Sequence, residues 1–284
     1  VSIDNPRTIK QFLPSYWIIA TFSHNRGHIV LEDLRGNMQN YFYKKFELRY
    51  FDMNKHGVAS PTTILTLLEE TAAEHSYSID YCLYNLEKKN IGWVLTSGTI
   101  DMIRYPKYKE TILIKTWVSK FTLVKGYREN IIFDDSGDII GRARGIWVFY
   151  DIEKKKPVPI IDEIKTKWGI NPEISRENNF EKIKVLNDEK HQLEYDIYKS
   201  DVDNNKHVNN IRYFHWLIES LPDEIMDSYF LKVINAKFFS EANFGEKIRI
   251  FNKNEMEQKT FLHTMRSSIN NRLLAAAHTT WGKK

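Results

Sequence analysis

The 284-residue sequence predicts an α+β protein in which one helix lies on an antiparallel sheet, and in which this arrangement occurs twice. Three observations support that fold class. The pentapeptide D-x-N-K-H occurs as Asp52-Met53-Asn54-Lys55-His56 and again as Asp203-Asn204-Asn205-Lys206-His207. An aromatic, strand-like segment precedes each copy and a helical pattern follows it. After each helix come four runs rich in β-branched and aromatic residues.

In the first half, Tyr41 to Phe51 reads as a strand. Ser60 is a good N-cap and Pro61 suits the first helical position. Ile64, Leu65, Leu67, Leu68, Ala72 and His75 then line one side of a helix from about Pro61 to Ser76. Strands follow at Trp93 to Tyr105, Thr111 to Val118, Tyr127 to Phe133 and Ile139 to Tyr150, the last two joined by the turn Asp134-Asp135-Ser136-Gly137-Asp138. Asp151 to Val185, rich in Lys, Glu, Pro and Asn, reads as a solvated connector with a short helix around Ile160 to Trp168. The second half repeats the order. His191 to Tyr198 is a strand, and Asn209 or Asn210 caps a helix carrying Ile211, Phe214, Leu217, Ile218 and Leu221 that stops at Pro222. Four strands close the chain: Tyr229 to Phe239, Lys247 to Asn252, Thr260 to Arg266 and Arg272 to Trp281.

This order of elements is that of the hot-dog fold, a sheet wrapped round a central helix, so two tandem units would form a pseudo-dimer within one chain. The expected division is an N-terminal extension over 1–40, an N-terminal hot-dog unit over 41–160, a linker over 161–188 and a catalytic C-terminal unit over 189–284. Hot-dog units usually pair, and this chain is expected to satisfy that pairing internally, as a monomer or a homodimer of such chains.

Composition narrows the function. With 42% hydrophobic residues the chain can fill a large core, which excludes a disordered protein. A single cysteine, Cys82, excludes an intrachain disulfide and a four-thiolate metal site, and reads as a small packing residue. The net charge of +4 is far from a nucleic-acid-binding stripe but suits an acidic partner. The apolar run Phe12 to Phe22 contains Pro14 and is about half the length of a membrane span. No small-x-small cleavage site follows it, so a cytoplasmic protein without integral membrane contact is expected.

An extended backbone over Asp203 to His207 would set Asp203, Asn205 and His207 on one face. His exchanges a proton near neutrality, Asp holds or charge-pairs it, and Asn hydrogen-bonds without changing charge, a set able to activate water. The N–H groups of the following helix could face an oxyanion. Asp and Asn before a helix are equally capping and turn residues. Calcium does not fit: Asp201, Asp203 and Asn205 match an EF-hand start, but Lys206 stands where Gly is required and Arg212 where Glu is required. No metal and no cofactor is expected.

The segment Asp201 to Asn210, followed by Tyr213, Trp216, Ile218-Glu219-Ser220 and Pro222, resembles the D-x-D-x-N-x-H-V-N-N-x-x-Y-x-x-W-x-x-E-S pattern of the acyl-acyl carrier protein (acyl-ACP) thioesterases. In the first half, Glu69-Glu70-Thr71-Ala72, His75, Trp93-Val94, Arg104-Tyr105-Pro106, Thr116-Trp117-Val118, Arg128 and Trp147-Val148 agree with the same family, and the likeness runs from about Tyr41 to Trp281. It implies two hot-dog units and hydrolysis of fatty acyl-ACP, with acyl carrier protein as partner. It places catalytic roles on Asp203, Asn205, His207 and, on the strand after the second helix, Glu241. Where some proposals for the family put a nucleophilic Cys, this sequence has Ala242, which excludes a cysteine acyl-enzyme there.

Setting Arg104 to Glu110 against Ser240 to Glu246 puts Tyr105 opposite Glu241, so the first half keeps Asp52, Asn54 and His56 but lacks the acid. One active site is expected, with Asp52, Asn54 and His56 a relic, although the plant members lack this first-half motif. An acyl chain needs an apolar tunnel, for which Ile64, Leu68 and Trp93 are candidates. The competing readings are an acyl-CoA thioesterase or a hydroxyacyl dehydratase on the same fold, and a noncatalytic acyl-binding module.

Overall fold

The computed structural model describes residues 8–13, 16–22, 29–32, 40–176, 183–187, 193–202, 208–255 and 259–284. Strands β1 (Thr8–Leu13), β2 (Tyr16–Phe22) and β3 (Ile29–Glu32) form an antiparallel sheet of their own. Next come β4 (Phe42–Glu47), α1 (Pro61–Ser78), α2 (Leu83–Glu87), β5 (Ile91–Met102), β6 (Thr111–Phe121), β7 (Lys125–Phe133), β8 (Ile139–Asp151), the two-residue β9 (Lys156–Pro157) and α3 (Asp162–Trp168). The second half supplies β10 (Leu193–Asp196), α4 (Asn210–Glu219), α5 (Asp223–Ser228), β11 (Tyr229–Phe238), β12 (Lys247–Glu255), β13 (Thr260–Ser267) and β14 (Leu273–Lys283).

The strands of both halves make one antiparallel sheet, in the order β10-β12-β13-β14-β11-β5-β8-β7-β6-β4, with β9 added to β8. The halves join where β11 pairs with β5: Val233 faces Asp101, Asn235 faces Thr99 and Lys237 faces Ser97. Each half turns out of this strand through the same contacts. Ile103 and Arg104 donate to the Ile140 carbonyl, and Phe239 and Ser240 donate to the Leu274 carbonyl. In that register Thr99 and Asn235 are equivalent positions, so the pseudo-twofold axis passes between them. The Thr99 hydroxyl donates to Asn235 Oδ1 across it.

Helix α1 starts where the sequence says it should: Ser60 Oγ accepts from the Thr63 N–H at 3.0 Å, and Pro61 occupies the first turn. Ile64, Leu65, Leu67 and Leu68 face inward. Asn209 caps α4 by accepting from the Ile211 N–H at 2.8 Å, and Tyr213, Phe214, Trp216, Leu217 and Ile218 are buried. These two faces meet in one hydrophobic core that draws on both halves, with Ile112, Ile114, Ile132, Ile248, Ile250 and Met265 among its sheet residues. A pseudo-dimer whose helices share a core cannot lose one half without exposing the other.

The structure corrects the reading of 151–185 as a solvated connector. Ile160, Ile164 and Trp168 are buried with Tyr81, Leu86, Val118 and Phe149 in a second cluster. Beyond α3 the Asn171 N–H donates to the Val118 carbonyl, Trp117 Nε1 donates to the Glu173 carbonyl at 2.8 Å, and Ser175 Oγ donates to buried Glu129 at 2.7 Å. The surrounding lysines and glutamates conceal an i, i+4, i+8 apolar stripe, enough to dock a short helix.

The structure also corrects the register of the repeat. Asp52 and Asp201 end matching single 3-10 turns, Tyr50–Asp52 and Lys199–Asp201, and each carboxylate accepts from the backbone three residues earlier, at Arg49 and Tyr198. Met53 bridges to Ala59 as Val202 bridges to Val208, and the Ser60 N–H reaches the Asp52 carbonyl as the Asn209 N–H reaches that of Asp201. Asp52 therefore answers to Asp201, two residues before Asp203. The identical pentapeptides are not equivalent in the fold, because the equal-length loops are set by their bridges and caps rather than by the repeated letters.

Candidate active site

Asp203, Asn205 and His207 lie outside the described residues. Their frame is described: Val202 and Val208 form an antiparallel bridge on either side of 203–207, and α4 begins two residues further on. Asp201, nearly buried, is held by the Tyr198 N–H at 2.8 Å and by Arg212 Nε at 2.8 Å. Within the first turn of α4, the Ile211 N–H is taken by the Asn209 side chain and the Arg212 N–H by the Asn209 carbonyl. Those two groups are withdrawn from the oxyanion role that the sequence suggested for the helix start.

Glu241 follows β11, with its side chain at the surface. Its backbone is tied on both sides: Arg272 Nη2 donates to the Glu241 carbonyl at 2.8 Å, and the N–H of the fully buried Ala242 donates to Tyr213 Oη at 2.8 Å. Because Tyr213 stands on α4, the helix that follows 203–207 also sets the position of Glu241. Burial pushes the Tyr213 phenol up, and the negative charges of Glu241 and Glu246 add to the shift. Burial likewise raises Tyr150, with a further contribution from Glu241. The carboxylate of Glu241 thus stands near a tyrosine from each half of the chain.

In the other half, Tyr105 occupies the place of Glu241. The Glu110 N–H donates to the Lys107 carbonyl as the Glu246 N–H donates to that of Asn243, which keeps the two turns in step. Tyr105 is buried and its hydroxyl donates to the Leu231 carbonyl at 2.9 Å. No acid stands there. The first-half motif is spent on structure. Asp52 takes Arg49 through its N–H and its guanidinium, and Asn54 Oδ1 accepts from the His56 N–H. His56 Nε2 lies 3.8 Å from Asp227, on α5 of the second half, and Lys55 pairs with the same carboxylate.

A cavity of about 460 Å³ opens between α1, the sheet of the first half and the start of α4. Thr66, Glu69 and Ala73 of α1 face Trp93, Phe121 and Arg128 across it, and Asn209, Asn210 and Ile211 reach its wall. Of the three tunnel residues suggested by sequence, Trp93 lines this cavity. Ile64 and Leu68 do not: both are buried in the shared core, and Ile64 borders a gap of about 10 Å³ beside Leu231. The reason is rotational. Ile64 and Leu68 lie on the α1 stripe that faces the core, whereas Thr66, Glu69 and Ala73 lie on an adjoining stripe.

Sequence reasoning passed over Tyr213 and Arg272, which hold the Glu241 turn, and Trp168, which sits at the cavity wall. Tyr213 belongs to the family pattern, and its place one turn into the helix after the motif is the signal that marks it. Arg272 and Trp168 come from distant segments, and no local signal marks them.

Family models match the chain in two stretches: "Acyl-ACP thioesterase N-terminal domain" over residues 39–168 and "Acyl-ACP thioesterase C-terminal domain" over residues 184–283. An oleoyl-acyl carrier protein thioesterase 2, chloroplastic, from Arabidopsis thaliana is 26% identical over 282 residues, covering 86% of this chain and 77% of the relative. Among solved structures, an acyl-ACP thioesterase from Bacteroides thetaiotaomicron superposes with a TM-score of 0.78 at 20% identity, covering 86% of this chain and 98% of that one. The 12:0-ACP thioesterase from Umbellularia californica gives 0.78 at 19% identity, covering 88% and 100%. The likeness to these structures shows the fold, two tandem hot-dog units.

Proposed function

We propose a site and a mechanism for this chain on the premise that it belongs to the acyl-ACP thioesterase family and, as an enzyme of that family, hydrolyses the thioester of fatty acyl-ACP to release free fatty acid. The observation that carries the proposal is the 2.8 Å bond from the Ala242 N–H to Tyr213 Oη. It fixes Glu241 to the helix whose first turn, Asn209 to Ile211, lines the cavity. The acid and a chain-sized cavity are thus both tied to α4.

In this mechanism Glu241 and His207 activate a water, Asn205 orients the water or the carbonyl, and Asp203 holds His207. The water oxygen bonds to the thioester carbon and its proton passes to the base. The tetrahedral intermediate then collapses with cleavage of the C–S bond, and the carrier thiolate takes a proton. A thiol with an ordinary pKa near ~8.5 leaves readily, so no strong general acid is needed. The acyl chain occupies the cavity along Trp93, and the acidic carrier protein docks outside it, where salt weakens the encounter.

The test is free-thiol release from acyl-ACP and acyl-CoA of matched chain length by the purified protein, with His207→Ala alongside. Faster turnover with the carrier protein, lost in the variant, supports the reading. Equal or faster turnover with coenzyme A moves the substrate to acyl-CoA, and full activity in His207→Ala removes that residue from the mechanism.

A further inference from the structure

Arg249 of β12 and Arg266 of β13 stand directly opposite each other in the antiparallel register. Ile248 and Ile250, on either side of Arg249, belong to the core, so both arginines lie on the outer face of the sheet. Like charges directly opposite in a sheet repel, and an outside carboxylate would relieve them. Their hydrogen bonds all go to neutral groups: Arg249 Nη2 to Asn271 Oδ1 at 3.1 Å, Arg266 Nη1 to the Asn271 carbonyl at 3.0 Å and Arg266 Nη2 to Asn187 Oδ1 at 2.9 Å. Arg249 Nε has no hydrogen-bond partner. The register sets Glu194 opposite Arg249, yet no ion pair joins them among the described residues. The pair is tied to the Glu241 turn through consecutive residues, since Asn271 accepts from both guanidiniums and Arg272 Nη2 donates to the Glu241 carbonyl.

Closer to Glu241 the surface is apolar and again cationic. Phe239 and Phe244 flank it in sequence and are 42% and 56% exposed. Lys237 Nζ lies 5.2 Å from the centre of the Phe239 ring, and Lys199 Nζ lies 6.0 Å from that of Phe244. Both lysines are exposed, and neither forms an ion pair among the described residues. Against these four positive charges stand the carboxylates of Glu194 and Glu241, which leaves the face net positive. Aromatic rings and arginines are the side chains enriched where proteins meet, and cations without counter-charges attract an acidic face.

We propose that this face receives an acidic protein, the carrier that presents the acyl thioester. Phe239 and Phe244 supply its apolar contacts, and Lys199, Lys237, Arg249 and Arg266 its charge contacts. The proposal rests on the thioesterase reading and names the docking surface for the substrate of that same site. A carrier seated here lies against the turn that holds the proposed acid, so the thioester enters beside Glu241 while the carrier's folded part stays outside.

The experiment compares kcat/KM for one acyl chain on carrier protein and on N-acetylcysteamine, a neutral thiol with no protein attached. It uses wild type and two double variants, Arg249→Glu with Arg266→Glu and Lys199→Glu with Lys237→Glu, over a range of salt. The reversals should lower kcat/KM for the carrier substrate by about tenfold or more, through KM, and flatten its salt dependence, with the loss confined to that substrate. Binding of carrier protein without an acyl chain, followed by titration calorimetry, should weaken by a similar factor. Lys45→Glu, at an exposed position on the far edge strand β4, should bind the carrier as wild type does.

Wild-type binding and kcat/KM in both double variants overturn the proposal. So does an equal loss with the N-acetylcysteamine thioester, which marks a disturbed site rather than a lost contact. Capture of anionic phospholipid vesicles, or self-association, without carrier binding also overturns it. If the arginine variant does not fold, the two exposed lysines decide alone. If the carrier binds in this charge-dependent manner but no thioester is hydrolysed, the hydrolytic reading fails and the docking surface stands.

Discussion

Tyr213 Oη accepts a hydrogen bond from the Ala242 N–H, and this one contact sets the distance between the helix after 203–207 and the turn that carries Glu241. Tyr213→Phe removes the acceptor and leaves a fully buried amide unpaired, at a cost of about 1–3 kcal/mol. Thermal denaturation should show the loss, and kcat should fall with little change in KM, because the proposed acid moves while the cavity does not. A lower melting temperature with unchanged kcat would reduce the contact to a structural brace.

Glu241 and Tyr105 share a position in the two halves and should respond in opposite ways. Glu241 is exposed, so Glu241→Gln should leave the melting temperature unchanged while turnover drops by about 10²–10⁴-fold, the usual contribution of a positioned general base. Tyr105→Phe loses the bond to the Leu231 carbonyl and should cost about 1 kcal/mol of stability at nearly full activity. The reverse ranking would place the chemistry in the first half.

Much of the fold was legible because its signals are local. Ser60-Pro61 and Asn209 are caps, the turn at Asp134 to Asp138 is a hairpin, and every strand of the main sheet longer than two residues was read to within a few residues at each end. The misplaced repeat shows where letters mislead. Asp52 and Asp203 are the same residue type in the same pentapeptide, yet the capping bond that defines the turn belongs to Asp201. A repeat is aligned by the hydrogen bonds its residues make, and these depend on neighbours, Arg49 and Tyr198, that the pentapeptide excludes. Glu241 enters through the family resemblance, since no local signal in the sequence singles out one surface glutamate after a strand. The cavity was not legible, since which stripe of α1 faces Trp168 depends on contacts across more than ninety residues.

Glu246 gives the site an acid-sensitive support. It accepts from Asn243 Nδ2 at 2.9 Å, Ser267 Oγ at 3.1 Å and Arg272 Nη2 at 3.1 Å. Burial alone would raise its carboxyl, but these bonds together outweigh burial and hold it below the usual carboxylate range. A depressed folded-state pKa means that the unfolded chain binds more protons as pH falls. Its stabilisation is therefore complete above the unfolded value near ~4.3 and is lost as pH drops through the folded value. Glu246→Gln should be less stable than wild type at pH 7, and the gap should narrow below about pH 4 in denaturant titrations. A gap independent of pH would assign the effect to packing rather than charge.

The segment after α3 offers the sharpest test of the corrected connector. Gly169 ends α3 with φ +64°, a conformation that L side chains rarely adopt, and a Cβ there would lie 1.7 Å from Asn40 Nδ2. The turn matters because it seats Trp168, 3% exposed, between His75 and Trp93 and directs Asn171 to the Val118 carbonyl. Gly169→Ala should therefore cost about 1–2 kcal/mol in chemical denaturation, from the left-handed backbone and the displaced Asn40 together. Because Trp168 lines the cavity, the same variant should also shift the tryptophan emission and weaken fatty-acid binding. A solvated connector would tolerate the alanine without either change, so wild-type stability and emission in Gly169→Ala would restore that description of the segment.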